Sequence, residues 1–426
     1  MKTHFHRKDD SQIYAEDVPL SVLAKEFGTP SYIYCLSTIK AQYETLSSTF
    51  AEILPKDRQP LLCYACKANS NKAILSALRS WGAGLEIVSG NELVRGVNAG
   101  FDPDRIVFTG VGKTDGEIEA ALKSGIHQIN VESIFEISQI NEVAKKLGMV
   151  AKVVFRLNPD VSGGGHSKIS TGRKRDKFGL SANRVVQAYD IADTLDHIDA
   201  VGLSMHIGSQ VFEVSAFERA FRKLPELVQT LRGKGHNVSR LDIGGGFPIQ
   251  YSDESLLDLK AYAEWVRDII VPLETEIIME PGRFLVGNAG GLLTRVISVK
   301  ETDEIDFLIT DGAMNDLIRP TLYDAFHGIE AVKHGEPSKT YSVTGPVCES
   351  GDMFGHDRKL PDMVAGDLCL IKSAGAYGFC MASNYNSRVL PAEILVYGDK
   401  YQLIRPRQTL EDILNAEKVP EWVENL

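Results

Sequence analysis

Four short stretches hold residue types that could do chemistry together. Tyr64-Ala-Cys-Lys67-Ala-Asn69 closes an apolar run with a lysine, whose amine can condense with an aldehyde. Asp242-Ile-Gly244-Gly245-Gly246-Phe247 places three glycines in a row, so backbone N–H groups can approach an anion such as a phosphate. Met279-Glu280-Pro281-Gly282-Arg283 supplies a carboxylate, a kinked tight turn and a guanidinium, and His206-Ile-Gly-Ser209-Gln210 adds an imidazole and a hydroxyl. Taken singly, each has a bland explanation: a solvated lysine, a flexible glycine turn, a surface ion pair. The glycine run is also not the dinucleotide-binding pattern G-x-G-x-x-G.

The elements that must carry these stretches give them joint meaning. Between residues 60 and 283, short strand-like runs alternate with segments of helical periodicity, as in βα units around a parallel sheet. The pattern predicts eight strands: Pro60–Lys67, Leu85–Ser89, Ile106–Gly110, Gln128–Val131, Lys152–Asn158, Ala200–Ile207, Arg240–Ile243 and Glu276–Glu280. Thr114/Glu117, Ser133/Glu136 and Ser215/Glu218 have capping-box spacing, and Gly100, Gly125 and Gly148 are natural helix stops. Eight such units predict an α/β fold, a closed TIM-like (β/α)8 barrel. In that fold, functional groups gather at the C-terminal strand ends, and phosphate sites recur after strands seven and eight. All four stretches fall at such ends.

Beyond residue 287 the pattern turns to strands such as Gly291–Lys300, Asp306–Thr310, Lys339–Val343 and Asp367–Ser373, separated by Gly, Asp and Pro turns. The expected organisation is a barrel domain over residues 36–286. A mainly β domain, sandwich- or barrel-like, is expected from residues 1–35 and 287–426. A lysine, a phosphate cradle and a group that sets the charge of a ring nitrogen are what pyridoxal phosphate requires of a protein. A carboxylate such as Glu280 keeps that nitrogen protonated and the ring a strong electron sink, which favours decarboxylation over racemisation.

Bulk properties narrow the field further. The 426 residues carry 46 basic and 57 acidic side chains, a formal charge of −11, which disfavours nucleic acid or an anionic lipid surface as partner. No stretch has the apolar length of a membrane span and the first ten residues have no apolar core of a signal peptide, so a cytoplasmic protein is expected. Six scattered cysteines suit free thiols. Cys63 and Cys66 have redox or zinc spacing, yet no second pair completes a zinc site, and no metal is expected. Gly110-Val-Gly112-Lys113-Thr114 ends like a phosphate-binding loop but lacks its first glycine, and the basic run Gly172–Lys177 suits a loop near the active site.

Together these stretches resemble the barrel-type (fold type III) pyridoxal-phosphate decarboxylases, and among them the diaminopimelate decarboxylase family. The resemblance extends to Asn158-Pro-Asp160, His166, Ile169-Ser-Thr-Gly172 and Lys177-Phe-Gly179 after strand five. In the C-terminal part it extends to Arg319-Pro-Thr-Leu-Tyr323, Cys348-Glu349-Ser350-Gly-Asp352, Ala374-Gly-Ala-Tyr377-Gly378 and Asn384-Tyr-Asn-Ser-Arg388. Gly165 and Val389-Leu390 depart from the family's common residues.

By that resemblance Lys67 would carry the cofactor, His206 would stack on its ring and Glu280 would meet its nitrogen. Gly244, Gly245, Gly246, Pro281, Gly282, Arg283 and Tyr377 would surround it, with Ser89 and Ser209 nearby. Cys348 would donate the proton after decarboxylation. The substrate would be meso-2,6-diaminopimelate, converted to L-lysine and carbon dioxide in the last step of bacterial lysine biosynthesis. Its far end, an ammonium beside a carboxylate, needs an acid and cationic or hydroxyl partners; Glu349, Arg283, Arg319, Tyr323 and Tyr377 supply those types. The resemblance also implies a homodimer in which Cys348 and Glu349 reach the partner's site. The rival readings are a same-fold decarboxylase of ornithine, arginine, carboxynorspermidine or a carrier-tethered glutamyl substrate, and a non-catalytic cofactor-binding protein.

Overall fold

A computed structural model describes residues 3–8, 12–163, 171–173, 175–424 and 426. His166, Ile169 and Gly165 of the family-like loop lie outside the described residues. Two units make up the chain, one of residues 40–250 and 254–285, the other of residues 1–39, 251–253 and 286–426. The chain begins with a small antiparallel sheet of β1 (Phe5–Arg7), β2 (Ile13–Ala15) and β3 (Val18–Pro19), followed by β4 (Ser31–Cys35).

The next eight strands are β5 (Leu61–Ala65), β6 (Gly84–Ile87), β7 (Ile106–Phe108), β8 (Gln128–Val131), β9 (Ala151–Leu157), β10 (Ile198–Met205), β11 (Arg240–Asp242) and β12 (Glu276–Met279). Each pairs in parallel with the next, and β12 returns to β5 with Ile278 opposite Leu61, closing the barrel. Most of these strands end one or two residues before the sequence reading placed them. The difference falls at the functional end, where the chain leaves the sheet to turn over the rim: Lys67 sits in a 3-10 turn, Cys66–Ala68, rather than in β5.

Helix ends follow local chemistry. Thr114 and Glu117 form the reciprocal capping box, and Gly125 and Gly148 close their helices in left-handed conformation at φ 71° and 64°. Ser133 caps its helix by accepting from Glu136 N, but the Glu136 carboxylate turns instead to Lys113 Nζ (2.6 Å) and Glu132 N (2.7 Å). Ser215 is no cap. Its helix, Val214–Phe221, starts two residues earlier than the box requires, with Glu213 at the N-cap, leaving Ser215 to accept from Arg219 and Glu218 to pair with Arg222.

Along a strand, side chains two apart share a face, so the barrel interior is built in layers. A lower layer is apolar, with Cys63, Val107 and Ile278 packed together over Leu61. One repeat higher stand Glu86, Thr109, Asn130, Arg156, Ser204, Asp242 and Glu280, all buried. Parallel strands covered on both sides are normally apolar throughout. A buried polar layer at the C-terminal end is therefore the feature that positions a site.

In the other unit the remaining strands are β13 (Gly290–Lys300), β14 (Asp306–Thr310), β15 (Ile329–Ala331), β16 (Lys339–Thr344), β17 (Met353–Leu360), β18 (Leu368–Ile371), β19 (Ala392–Tyr397) and β20 (Lys400–Arg405). β4 lies between β13, antiparallel, and β19, parallel, so the early chain completes a late sheet. Ile33, Cys35, Leu293, Leu370, Ile394 and Val396 form its core with Leu20 and Leu23 of the first helix.

Candidate active site

At the barrel mouth Lys67 Nζ donates to both oxygens of Glu86, at 2.9 and 2.8 Å. Across the interior, Asn130 Nδ2 donates to Asp242 Oδ2 at 2.9 Å and to Thr109 Oγ1 at 3.0 Å, and Thr109 Oγ1 donates to Glu280 Oε1 at 3.1 Å. Burial, followed by the neighbouring Asp242 and Glu86 charges, holds the Glu280 carboxyl well above the usual range; burial raises Asp242 as well. These two buried acids thus tend to keep a proton between them.

His206 follows β10. Its Nδ1 accepts from Gly245 N at 3.2 Å, and desolvation, with Arg156 and Lys67 adding to it, lowers its pKa well below the ordinary histidine value. The imidazole is therefore neutral, with its proton on Nε2.

The glycine triplet admits no side chain. A Cβ on Gly245 would stand 2.1 Å from the Glu280 carbonyl and one on Gly244, at φ 70°, 2.4 Å from that of Met205. This close approach locks the loop after β11 onto the ends of β10 and β12, where Glu280 N also donates to Gly244 O at 2.8 Å. Pro281 O accepts from Ala65 N at 3.0 Å, tying the following turn to β5. Arg283 reaches Ser209 Oγ through Nε (3.3 Å) and Nη2 (3.2 Å). Ser89 is the N-cap of the helix Gly90–Asn98, accepting from Glu92 N at 3.3 Å.

The remaining sequence-predicted residues belong to the other unit. Arg319 and Tyr323 bound one short helix, with Arg319 buried. Cys348 and Glu349 are exposed on the loop before β17. That loop is held from beneath by Asp352, whose carboxylate accepts from Val347 N and Met314 N, each at 2.7 Å. Cys348 N donates to Asn386 Oδ1 at 3.3 Å. Tyr377 has a left-handed backbone, φ 55°, in the loop after β18.

Lys67, His206 and Glu280 line one pocket together with Thr109, Asn130, Arg156, Ser204 and Met205. Within it, Arg156 Nη2 and Ser204 Oγ are buried without a hydrogen-bond partner among the described residues, while Arg156 Nη1 holds Glu132 at 2.7 Å. Buried polar atoms left unpaired in a cavity mark the place of a polar ligand. An amine for an aldehyde, a neutral imidazole, an acid with a raised pKa, unpaired donors and a glycine cradle fit pyridoxal phosphate. The tempting alternatives find structural uses: Lys113 is buried on Gly110 O, Asn130 O and Glu136, and Cys63 and Cys66 are buried thiols.

A parallel barrel with this mouth defines a barrel-type pyridoxal-phosphate enzyme. Residues 36–287 match the family described as pyridoxal-dependent decarboxylase, pyridoxal binding domain, and the chain belongs to that family. It is 47% identical over 403 residues to the diaminopimelate decarboxylase of Neisseria meningitidis serogroup A, covering 94% of this chain and 97% of that protein. The crystal structure of diaminopimelate decarboxylase from Helicobacter pylori complexed with L-lysine superposes with a TM-score of 0.89 at 38% identity, over 93% of this chain and 98% of that one. The enzyme from M. jannaschii in co-complex with L-lysine gives 0.93 at 35% identity, over 98% of each chain.

Glu86, Thr109, Asn130, Arg156 and Ser204 escaped the sequence reading, and Asp242 entered it only as part of a motif. Their signal was present: each is a polar residue at or beside the end of a strand whose neighbours are otherwise largely apolar.

Proposed function

We propose that this chain removes, as carbon dioxide, the carboxylate at the D-configured centre of meso-2,6-diaminopimelate and releases L-lysine, the last step of bacterial lysine biosynthesis. The observation that carries this reading is the barrel mouth, where Lys67 on Glu86 faces Glu280, the acid of raised pKa, in a chain similar over nearly its full length to diaminopimelate decarboxylases. Pyridoxal phosphate, when bound, supplies the electron sink for the pair left by the departing carboxylate. Lys67 would hold it covalently, and Glu280, backed by Asp242, Asn130 and Thr109, would meet its ring nitrogen. The neutral His206 would pack against its ring, and Gly244–Gly246, Gly282, Arg283, Ser209, Ser89 and Tyr377 would hold its phosphate. Cys348 would donate its thiol proton after decarboxylation. Glu349 takes the distal ammonium, and Arg319, with Tyr323 and Arg283, takes the distal carboxylate.

The working form is a cytoplasmic homodimer, supported by the exposure of Cys348 and Glu349 on a single chain. Among the described residues no helix is long and apolar enough to cross a membrane. Sedimentation of the purified protein tests the dimer.

The deciding experiment is carbon dioxide release by purified protein with pyridoxal phosphate, offered meso-diaminopimelate beside ornithine, arginine and carboxynorspermidine. Release with lysine formed supports the proposal. Faster release from another amine overturns the substrate, and no release from any overturns catalysis.

A further inference from the structure

Arg319 is held in one orientation by two residues outside the site described so far. Its Nη1 donates to His327 Nε2 at 2.8 Å, and its guanidinium carbon lies 4.7 Å from the ring centre of Tyr251. The Tyr251 ring in turn meets His327 edge-on, with centroids 5.2 Å apart and planes at 78°. His327 is wholly buried and its Nδ1 is 2.8 Å from the Lys372 carbonyl.

This arrangement specifies the tautomer. A guanidinium has donors only, so Nε2 must accept, and the single ring proton sits on Nδ1, given to the Lys372 oxygen. The other charges nearby are turned elsewhere. Lys372 Nζ pairs with Glu330 at 2.7 Å, and Arg358 stacks on the adjoining Phe326 at 4.1 Å. A planar guanidinium binds a carboxylate through two parallel bonds only when its plane is fixed, and an acceptor on one edge with an aromatic face beneath fixes it.

We propose that His327 and Tyr251 are positioning residues that set substrate specificity by aiming Arg319 at a carboxylate on the far end of the substrate. The inference rests on the role given to Arg319 above. Decarboxylation at one end leaves the far ammonium and carboxylate untouched, so the product lysine keeps the group Arg319 reads. Cadaverine, which is lysine without that carboxylate, does not.

The test is steady-state kinetics of His327→Leu, His327→Gln and Tyr251→Leu in the cofactor-loaded enzyme, with L-lysine and cadaverine as competing ligands. In His327→Leu and Tyr251→Leu, KM for meso-diaminopimelate and the inhibition constant of lysine rise about tenfold, kcat stays within about twofold, and cadaverine inhibition is unchanged. His327→Gln, whose amide oxygen can accept from Arg319, recovers most of the affinity. Equal weakening of lysine and cadaverine, or an unchanged KM, overturns the inference while wild-type turnover stands. A wild-type enzyme inactive on meso-diaminopimelate overturns the inference together with the substrate reading. Should His327→Leu fail to fold, the Tyr251→Leu and His327→Gln pair gives the same discrimination.

Discussion

Glu86 presents both carboxylate oxygens to Lys67 Nζ, at 2.9 and 2.8 Å, from a position with no solvent exposure, whereas the lysine side chain is 37% exposed. The acid is therefore the fixed partner and the lysine the movable one. A buried carboxylate is costly to desolvate, and a protein that needed only a stable barrel would gain by replacing it with an apolar residue. Its position beneath the reactive amine points to chemistry rather than stability.

Replacing Glu86 by Gln should accordingly separate the two. Folding should be retained, with a thermal midpoint equal to or above that of the wild type, since a desolvated charge has gone. Turnover should fall about 10- to 100-fold, the size of one lost charged hydrogen bond of about 1.5–3 kcal/mol. Single-turnover kinetics beside thermal unfolding would check this, and a variant that unfolds early with normal turnover would contradict it.

Gly245→Ala should abolish cofactor retention. The added methyl would meet the Glu280 carbonyl at 2.1 Å, and its nearest neighbours are all backbone atoms of Glu280 and Pro281, which leaves nothing flexible to yield. Overpacking of this kind costs about 1–3 kcal/mol or more and displaces Glu280, the residue proposed for the ring nitrogen. Gly116→Ala, with nothing within 4 Å, serves as the control. Cofactor titration by absorbance should show weak binding in the first and wild-type binding in the second; equal binding in both would refute the cradle.

Barrel, cofactor chemistry and second unit were legible because they are written in local terms. Period-two strands, helix stops such as Gly125 and Gly148, and unusual residues at strand ends are all visible along the chain. What stayed hidden depends on registration across the sheet. Asn130 meets Asp242 from 112 positions away, and Thr109 meets Glu280 from 171. No linear spacing encodes such pairs, because barrel closure alone sets them opposite one another. Ser215 failed as a cap for the reverse reason: its motif spacing was right, but the helix started at Val214.

Cys348 and Asp352 should give distinguishable losses. Cys348→Ala removes the proposed proton donor from an exposed loop position, so the variant should bind cofactor normally and turn over at least about 100-fold more slowly, as lost general acids do. Asp352→Ala leaves the thiol but frees Val347 N and Met314 N, loosening the loop beneath it. Its rate should fall less, about tenfold, since a misplaced group still acts. Thiol labelling would report the difference: Cys348 should react faster with a maleimide in Asp352→Ala. Equal labelling rates would remove Asp352 from this role.

Raised carboxyl pKa values in the fold predict a pH dependence of opposite sign to ordinary acid denaturation. Burial lifts Glu280 well above its usual range, lifts Asp242, and pushes Glu92 and Asp316 up to about 7. In the unfolded chain these groups titrate near about pH 4, so above that value unfolding releases protons that the folded state retains. Their contribution is complete below about pH 4 and is lost as pH rises through the folded-state values. Glu117 and Glu276, whose pKa values are lowered by hydrogen bonds and nearby charges, act the other way, but only at more acidic pH. Cofactor-free protein should therefore melt at progressively lower temperature between about pH 5 and pH 8, and Glu280→Gln, which cannot ionise, should flatten that slope. Calorimetry on the two proteins across this range checks it. Parallel curves would mean that Glu280 does not hold its proton in the cofactor-free folded state, and that the slope comes from the other buried acids.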